Sequence, residues 1–320
     1  MCIRDRFGMH TAIAYGNYIS LGMSGQTYCY DIKTGQLNWV YSYRDPLNEV
    51  LWANDWSLQP IFFADGKLYL GQSEHSPVNP LPRGAPFVCL NATTGEVIWS
   101  VAGMFRQTDW GGQAIIADSI IATMDTYDQQ IYAIGKGPSA ITVTAPDVSV
   151  DSGKSVVLKG TVTDVSAGTK SDILTARFPN GVPAVSDESM SEWMLYVYKQ
   201  FTKPINATGV PVELFVLDAN NNYRSIGTTT TDTNGFYSYQ WMPDIPGKYT
   251  VYAQFAGSNS YWPSQAITAF AVDDAEATPA PTETPPLMVE QYFLPAVIGL
   301  AVAMIIGFAI LILLILKKKE

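Results

Sequence analysis

The chain has 320 residues and a mass of 35.0 kDa, with 47% hydrophobic, 12% aromatic and 15% charged residues and a mean hydropathy of +0.06. That is too long for one ordinary domain and too apolar for a disordered chain. Its 25 Gly and 20 Pro point to many short strands and turns, an all-β class, while a net charge of −10 argues against nucleic acid, which needs a basic surface.

Met1–Arg6 reads MCIRDR, with none of the apolar stretch that an exported N-terminus carries. These six residues resemble the translation of a transposon-based sequencing-adapter end. They are taken as a scar, and the chain is expected to be the C-terminal part of a longer reading frame.

Three segments then repeat. Ala14-Tyr-Gly-Asn-Tyr-Ile, Ala64-Asp-Gly-Lys-Leu-Tyr and Ala117-Asp-Ser-Ile-Ile-Ala are offset by 50 and 53 residues, and each reads as a turn feeding a strand. Downstream, Cys29-Tyr-Asp31-Ile-Lys-Thr34-Gly35 leading to Trp39 matches Cys89-Leu-Asn91-Ala-Thr-Thr94-Gly95 leading to Trp99, at an offset of 60 because Gln72 to Pro86 adds a loop. Asp or Asn opens a tight turn, Thr supports it and Gly takes the positive φ. The strand then returns to set Trp against a neighbouring unit. Cys29 and Cys89 occupy equivalent small positions in different units, so they are expected to pack rather than to bridge.

These residues resemble the PQQ-type β-propeller repeat with its tryptophan-docking motif, matched twice at Asp or Asn, Thr, Gly and Trp, with Cys where that family usually has Ala. The resemblance implies about 2.5 four-stranded blades over residues 7–138, an incomplete PQQ-like propeller. The third unit ends at Gly135-Lys-Gly-Pro138 without its fourth strand and leaves a raw edge. Asp55-Trp56-Ser-Leu-Gln59 and Asp109-Trp110-Gly-Gly-Gln113 share D-W-x-x-Q, each before an innermost strand. By the family's layout they line the channel mouth, so Asp55, Trp56, Gln59, Asp109, Trp110 and Gln113 are candidate ligand contacts. The competing reading makes them structural contacts repeated with the blade.

Over residues 139–272 the pattern changes to seven short strands: Ile141 to Val150, Ser155 to Asp164, Pro211 to Ala219, Tyr223 to Asp232, Phe236 to Met242, Lys248 to Gly257 and Ala266 to Val272. Tyr249, Val251, Ala253 and Phe255 alternate inward with Thr250, Tyr252 and Gln254 outward, and Asn234-Gly235 predicts a hairpin turn. The run from Gly209 to Phe255 resembles bacterial and archaeal Ig-like surface domains, here without a Cys pair and held by apolar packing around residues such as Trp241. An insertion at about 165–209 carries Ser189-Met-Ser-Glu192, which predicts a capping box, and a short helix over Trp193 to Gln200. Its aromatics Trp193, Tyr196, Tyr198 and Phe201 either pack on the folded body or dock a partner.

Asp273 to Pro286 begins a Pro/Thr-rich acidic stalk over residues 273–291. Residues 292–316 are 25 uncharged positions, enough for a transmembrane helix, and the basic tip 317–320 marks the cytoplasmic side by the positive-inside rule. The tip carries +2 and the first six residues +1, which leaves −13 on the expected exterior.

Catalytic chemistry is not legible. His10 and His75 are the only histidines, with no HExxH, no CxxC and no G-x-S-x-G, so no catalytic residue and no metal ligand is assigned. Asp218-Ala-Asn220-Asn-Asn222 starts like a calcium loop but lacks its Gly and its Glu, and reads as a hairpin turn. Asn206-Ala-Thr208 is a glycosylation candidate, whereas Asn91-Ala-Thr93 doubles as a repeat turn. The sequence therefore reads as a single-pass plasma-membrane surface protein, resembling archaeal surface proteins. Its N-terminal domains lie outside, its C-terminus is cytoplasmic, and it binds or scaffolds an unknown extracellular partner. The other reading is a membrane-tethered quinoprotein oxidoreductase, with PQQ and Ca²⁺ held in blades upstream.

Overall fold

The computed structural model describes residues 11–22, 25–48, 50, 54–74, 85–102, 106–108, 114–125, 127–274 and 288–318. It divides into two compact units, Met1–Asp274 and Ala275–Glu320. The described residues are mostly β-sheet, with one apolar helix at the C-terminal end.

The first unit opens with three antiparallel meanders. Strands β1 (Thr11–Ala14), β2 (Asn17–Leu21), β3 (Gln26–Asp31) and β4 (Leu37–Ser42) form a sheet in chain order, as do β5 (Gln59–Ala64), β6 (Lys67–Glu74), β7 (Phe87–Asn91) and β8 (Val97–Val101). A short strand β9 (Arg106–Thr108) runs parallel to the end of β6, a pairing with no sequence signal. The third sheet has β10 (Ile115–Ala117), β11 (Ile120–Asp125) and β12 (Gln130–Ile134) only, ending where the T-G-x-x-x-W motif is missing.

The first hairpin of each sheet turns on two residues of positive φ: Tyr15 and Gly16, Asp65 and Gly66, Asp118 and Ser119. This is the geometry that matches strand twist. Tyr69, Phe87, Cys89 and Trp99 of the second sheet pack with Ile121 and Tyr132 of the third. Ile19, Cys29 and Trp39 of the first sheet pack with Leu68, Leu70, Val88 and Leu90 of the second. Each sheet thus buries one face against the next. Cys29 and Cys89 are free and buried, and burial pushes both thiols up to about 11.

The remaining strands make a two-sheet sandwich. One sheet joins β13 (Ser139–Ile141), β15 (Val156–Asp164) and β16 (Val182–Pro183), with β19 (Phe236–Trp241) along β15. The other is ordered β14 (Val150–Asp151), β21 (Ser264–Asp273), β20 (Gly247–Phe255), β17 (Pro211–Leu217), β18 (Tyr223–Thr230). Tyr249, Val251, Ala253 and Phe255 are buried between the sheets, where they meet Val156, Leu158 and Val162. Trp241 lies edge-on to Tyr249 at 5.2 Å between ring centroids, and supplies apolar packing where a disulfide is absent.

Two expectations are corrected here. Residues 141–150 are not one strand: β13 ends at Ile141, Pro146 offers no N–H, and β14 belongs to the opposite sheet. Asn234-Gly235 does form a tight turn, with Asp232 accepting from the Asn234 and Phe236 amides. The strands on either side of it, β18 and β19, pair in different sheets, so the turn is a sheet crossing and not a hairpin.

The insertion holds helices α1 (Asp172–Arg177) and α2 (Met190–Lys199). The capping box predicted at Ser189 does not form. Ser189 is already helical in its backbone, and its hydroxyl accepts from the Thr208 amide at 3.0 Å. Trp193 and Val197 bury one face of α2 against Leu174, Val182 and Val185.

Asp187 ties this insertion to the turn before β21, accepting from Ser258 Oγ at 2.8 Å and from the Asn259 and Ser260 amides at 2.9 and 3.0 Å. Burial acts to raise its carboxyl, but these hydrogen bonds outweigh it and hold the group below its ordinary value. A depressed folded-state value gives stability that is present above the unfolded value of about 3.9 and is lost as pH falls through the folded one. Equilibrium unfolding measured from pH 6 down to pH 2 should show an acid-dependent loss in the wild type that is smaller in Asp187→Asn. Equal slopes would remove Asp187 from the acid response.

The second unit contains α3 (Met288–Lys317), in which Pro295 sits near the start. Its apolar part, Gln291–Lys317, has 27 residues, about 40 Å at 1.5 Å per residue, against a hydrocarbon core of about 30 Å. It is the one helix among the described residues long and apolar enough to cross a membrane.

Candidate functional site

The repeat turns are built as the residue types demand. Asp31 Oδ1 accepts from the Lys33 amide at 3.0 Å and from the Thr34 amide and hydroxyl at 2.7 and 2.9 Å, and the Thr34 contacts foremost hold its carboxyl below the ordinary range. Gly35 takes φ +68° and Gly95 φ +76°. Asn91 Oδ1 replaces the carboxylate, accepting from the Thr93 and Thr94 amides at 2.9 and 3.1 Å, while Thr94 donates to Glu96. Trp39 reaches across to the second turn: a Cβ at Gly95 would lie 2.7 Å from its ring, and its indole N–H donates to the Ala92 carbonyl at 3.4 Å. The glycine therefore meets two needs, a left-handed backbone and a seat for the neighbouring unit's tryptophan.

Trp99, the equivalent of Trp39, meets no such turn among the described residues. It joins the apolar cluster between the second and third sheets, to which α2 contributes Leu195, Met194 and Tyr198, and the segment just after it Phe201. The predicted aromatic set is thereby divided. Trp193 and Tyr196 pack within the insertion, whereas Tyr198 and Phe201 also reach the repeat sheets.

Lys199, at the end of α2, pairs with Asp125 and Asp128 of the third sheet, both at 2.5 Å, with side chains 5%, 2% and 21% exposed respectively. The Lys199 ammonium lies 4.3 Å from the Tyr132 ring centroid, and Tyr132 donates to Asp128. Burial, and then that bond, push the Tyr132 phenol well above its ordinary value. Sequence reasoning missed this cluster. Its members lie 71 and 74 positions apart, and no local pattern joins them.

The first D-W-x-x-Q segment precedes β5. Trp56 is 3% exposed, packed among Ile19, Cys29, Trp39 and Leu58, and Gln59 is buried as well. Asp55 bridges Arg44 through the backbone and is half-buried. The Trp56 indole faces are thus occupied by the protein itself, and its N–H has no acceptor among the described residues. Asp109, Trp110 and Gln113 lie outside the described residues, as do His10, His75 and the predicted stalk from residue 275 to 287. Asn206 sits in an exposed loop between α2 and β17. Asp218 accepts from the Asn220 and Asn222 amides, both at 2.9 Å, in the turn that joins β17 to β18. Among the described residues no group of three His, Cys, Asp or Glu side chains converges to hold a metal ion.

No protein-family profile matches the chain, and no curated protein matches it. Solved structures similar to it include a CARDB domain from Pyrococcus furiosus in complex with di-metal ions, at 13% identity and TM-score 0.22 over 44% of this chain and 96% of that one. BamB from Moraxella catarrhalis has 11% identity and TM-score 0.25 over 82% of this chain and 71% of that one. A europium-containing methanol dehydrogenase has 11% identity and TM-score 0.26, and the chain spans 58% of its length and is itself covered over 84%. At these scores the likenesses carry no argument.

Proposed function

We propose that the chain is a membrane-anchored cell-surface binding or scaffold protein, with PQQ-like propeller units and an Ig-like sandwich held outside by α3 and the basic tip inside. The observation that carries the reading is α3 itself, whose Gln291–Lys317 part is apolar and exposed, and which ends in Lys317 with Lys318 and Lys319 next in the sequence. The first D-W-x-x-Q segment is assigned to packing at the start of its unit, in keeping with the burial of Trp56.

The outer faces of the sheet stack support the partial-propeller reading. Ile13 is exposed on the first sheet, at the position where the second sheet has Phe63, which packs toward the first. Ile115 and Ile131 are exposed on the third sheet, at the positions of Phe62 and Phe87, which pack toward the third. Both ends of the stack thus carry the apolar residues that a further unit covers in its middle.

The test is alkaline carbonate extraction with protease shaving of intact cells expressing the chain tagged at both ends. Retention in the membrane pellet, loss of the N-terminal tag and protection of the C-terminal tag are expected. Release by carbonate, or protection of the N-terminal tag, would overturn the reading.

A further inference from the structure

We infer that the cavity beside α2, between the insertion and the β18–β19 crossing, is a binding site for an acidic sugar, a hexuronate-type saccharide. It has a volume of about 360 Å³, within the range of small-ligand sites and enough for one or two sugar rings. This site lies on the sandwich and does not depend on the membrane reading.

Its lining is chemically one-sided. Arg177 and Lys203 bring two positive charges, Asn180 and Asn234 bring amides, and no Asp or Glu lines the cavity, in a chain whose net charge is −10. Lys203 is exposed and pairs with no carboxylate among the described residues; its ammonium lies 5.8 Å from the Trp193 ring centroid. Arg177 is fixed in place. It donates from Nη1 to the Val197 carbonyl at 2.9 Å and from Nη2 to the Tyr196 carbonyl at 3.1 Å, and its guanidinium lies 4.9 Å from the Tyr196 ring centroid. A guanidinium has five N–H donors, so those two bonds leave capacity for an anion.

Aromatic rings close the floor. Phe178 and Tyr196 are half-buried and Phe236 is exposed, while Trp193, 5.3 Å from Tyr196 between centroids, is fully buried. One ligand chemistry answers the whole lining: a carboxylate for the two cations, hydroxyls for the amides, and the flat apolar face of a sugar ring for the aromatics. A bare anion leaves the aromatic part unused, and a neutral sugar leaves the charge unused.

The full chain in detergent micelles is titrated by calorimetry with tri-galacturonate, with neutral galactotriose and with inorganic phosphate. Tri-galacturonate should bind at least about tenfold more tightly than either control, a difference of about 1.4 kcal/mol. Lys203→Met keeps the apolar stem and should lose that binding about tenfold with the melting temperature unchanged, since Lys203 is exposed. Four results overturn the proposal: no heat with tri-galacturonate up to about 10 mM, equal binding by Lys203→Met, galactotriose matching the acidic sugar, or phosphate matching it. None of them bears on whether α3 spans a membrane.

Discussion

Lys199→Met should destabilise the Met1–Asp274 unit by about 3–5 kcal/mol, the cost of removing one partner from a buried ion pair. The size follows from burial. The Lys199 and Asp125 side chains are 5% and 2% exposed, so solvent screens their pairing little. Asp125 keeps the Tyr127 amide at 3.0 Å and Asp128 keeps the Tyr132 hydroxyl, but neither of these contacts brings positive charge. The Met side chain preserves most of the stem packing, which assigns the loss to charge. Urea unfolding of the full chain in detergent measures it. Adding Asp125→Asn and Asp128→Asn to Lys199→Met should recover most of the loss, because the neutral amides no longer need a cation. A loss below about 1 kcal/mol would mean that water reaches the carboxylates and that the cluster does not hold α2 to the third sheet.

Gly95→Ala should cost about 3 kcal/mol, and the otherwise matched Gly35→Ala only about 1–2 kcal/mol. Both glycines have left-handed backbones, so each substitution incurs the ~1–2 kcal/mol that an L-residue meets there. Around Gly35 nothing lies within 4 Å of an added Cβ. At Gly95 the new methyl would sit 2.7 Å from Trp39 Cγ and Cδ2, on a ring held between sheets, and overpacking of that kind adds about 1–3 kcal/mol. The difference between the two variants isolates the seating of one unit's tryptophan on the next unit's turn. Equal losses would show that Trp39 moves aside freely. Trp39→Phe in the Gly95→Ala background should narrow the gap by making room.

Much of this was written in local pattern. The repeat is legible because each turn asks for particular residues at particular places, an oxygen at Asp31 or Asn91, a hydroxyl at Thr34 or Thr94 and no Cβ at Gly35 or Gly95, and the structure places all six in those roles. The inward alternation of Tyr249, Val251, Ala253 and Phe255 is equally local. Sheet membership is not. The 231–235 segment announces a turn, but nothing within it says that β18 continues one sheet and β19 the other. Residues 141–150 have the composition of a strand and cross between sheets instead. Trp56 reads alike whether its ring faces a ligand or a core, since the neighbours that bury it come from two sheets, some of them far along the chain. The Lys199 cluster was least accessible, because it forms only when the insertion folds back onto a sheet that ended some 60 residues earlier.

The two places where the chain enters and leaves the sandwich have a mechanical consequence. Ser139 donates to the Trp262 carbonyl at 2.7 Å and to Ser264 Oγ at 2.9 Å, at the beginning of β21, while the chain departs at Asp273, at the end of the same strand. A pull between these points acts along β21 and across its antiparallel ladder with β20, which runs from Gly247↔Val272 to Phe255↔Ser264. Ladder hydrogen bonds lie perpendicular to the strands, so they resist such shear together rather than opening one after another. Tension arriving through residue 274 therefore falls on a long strand gripped along its length.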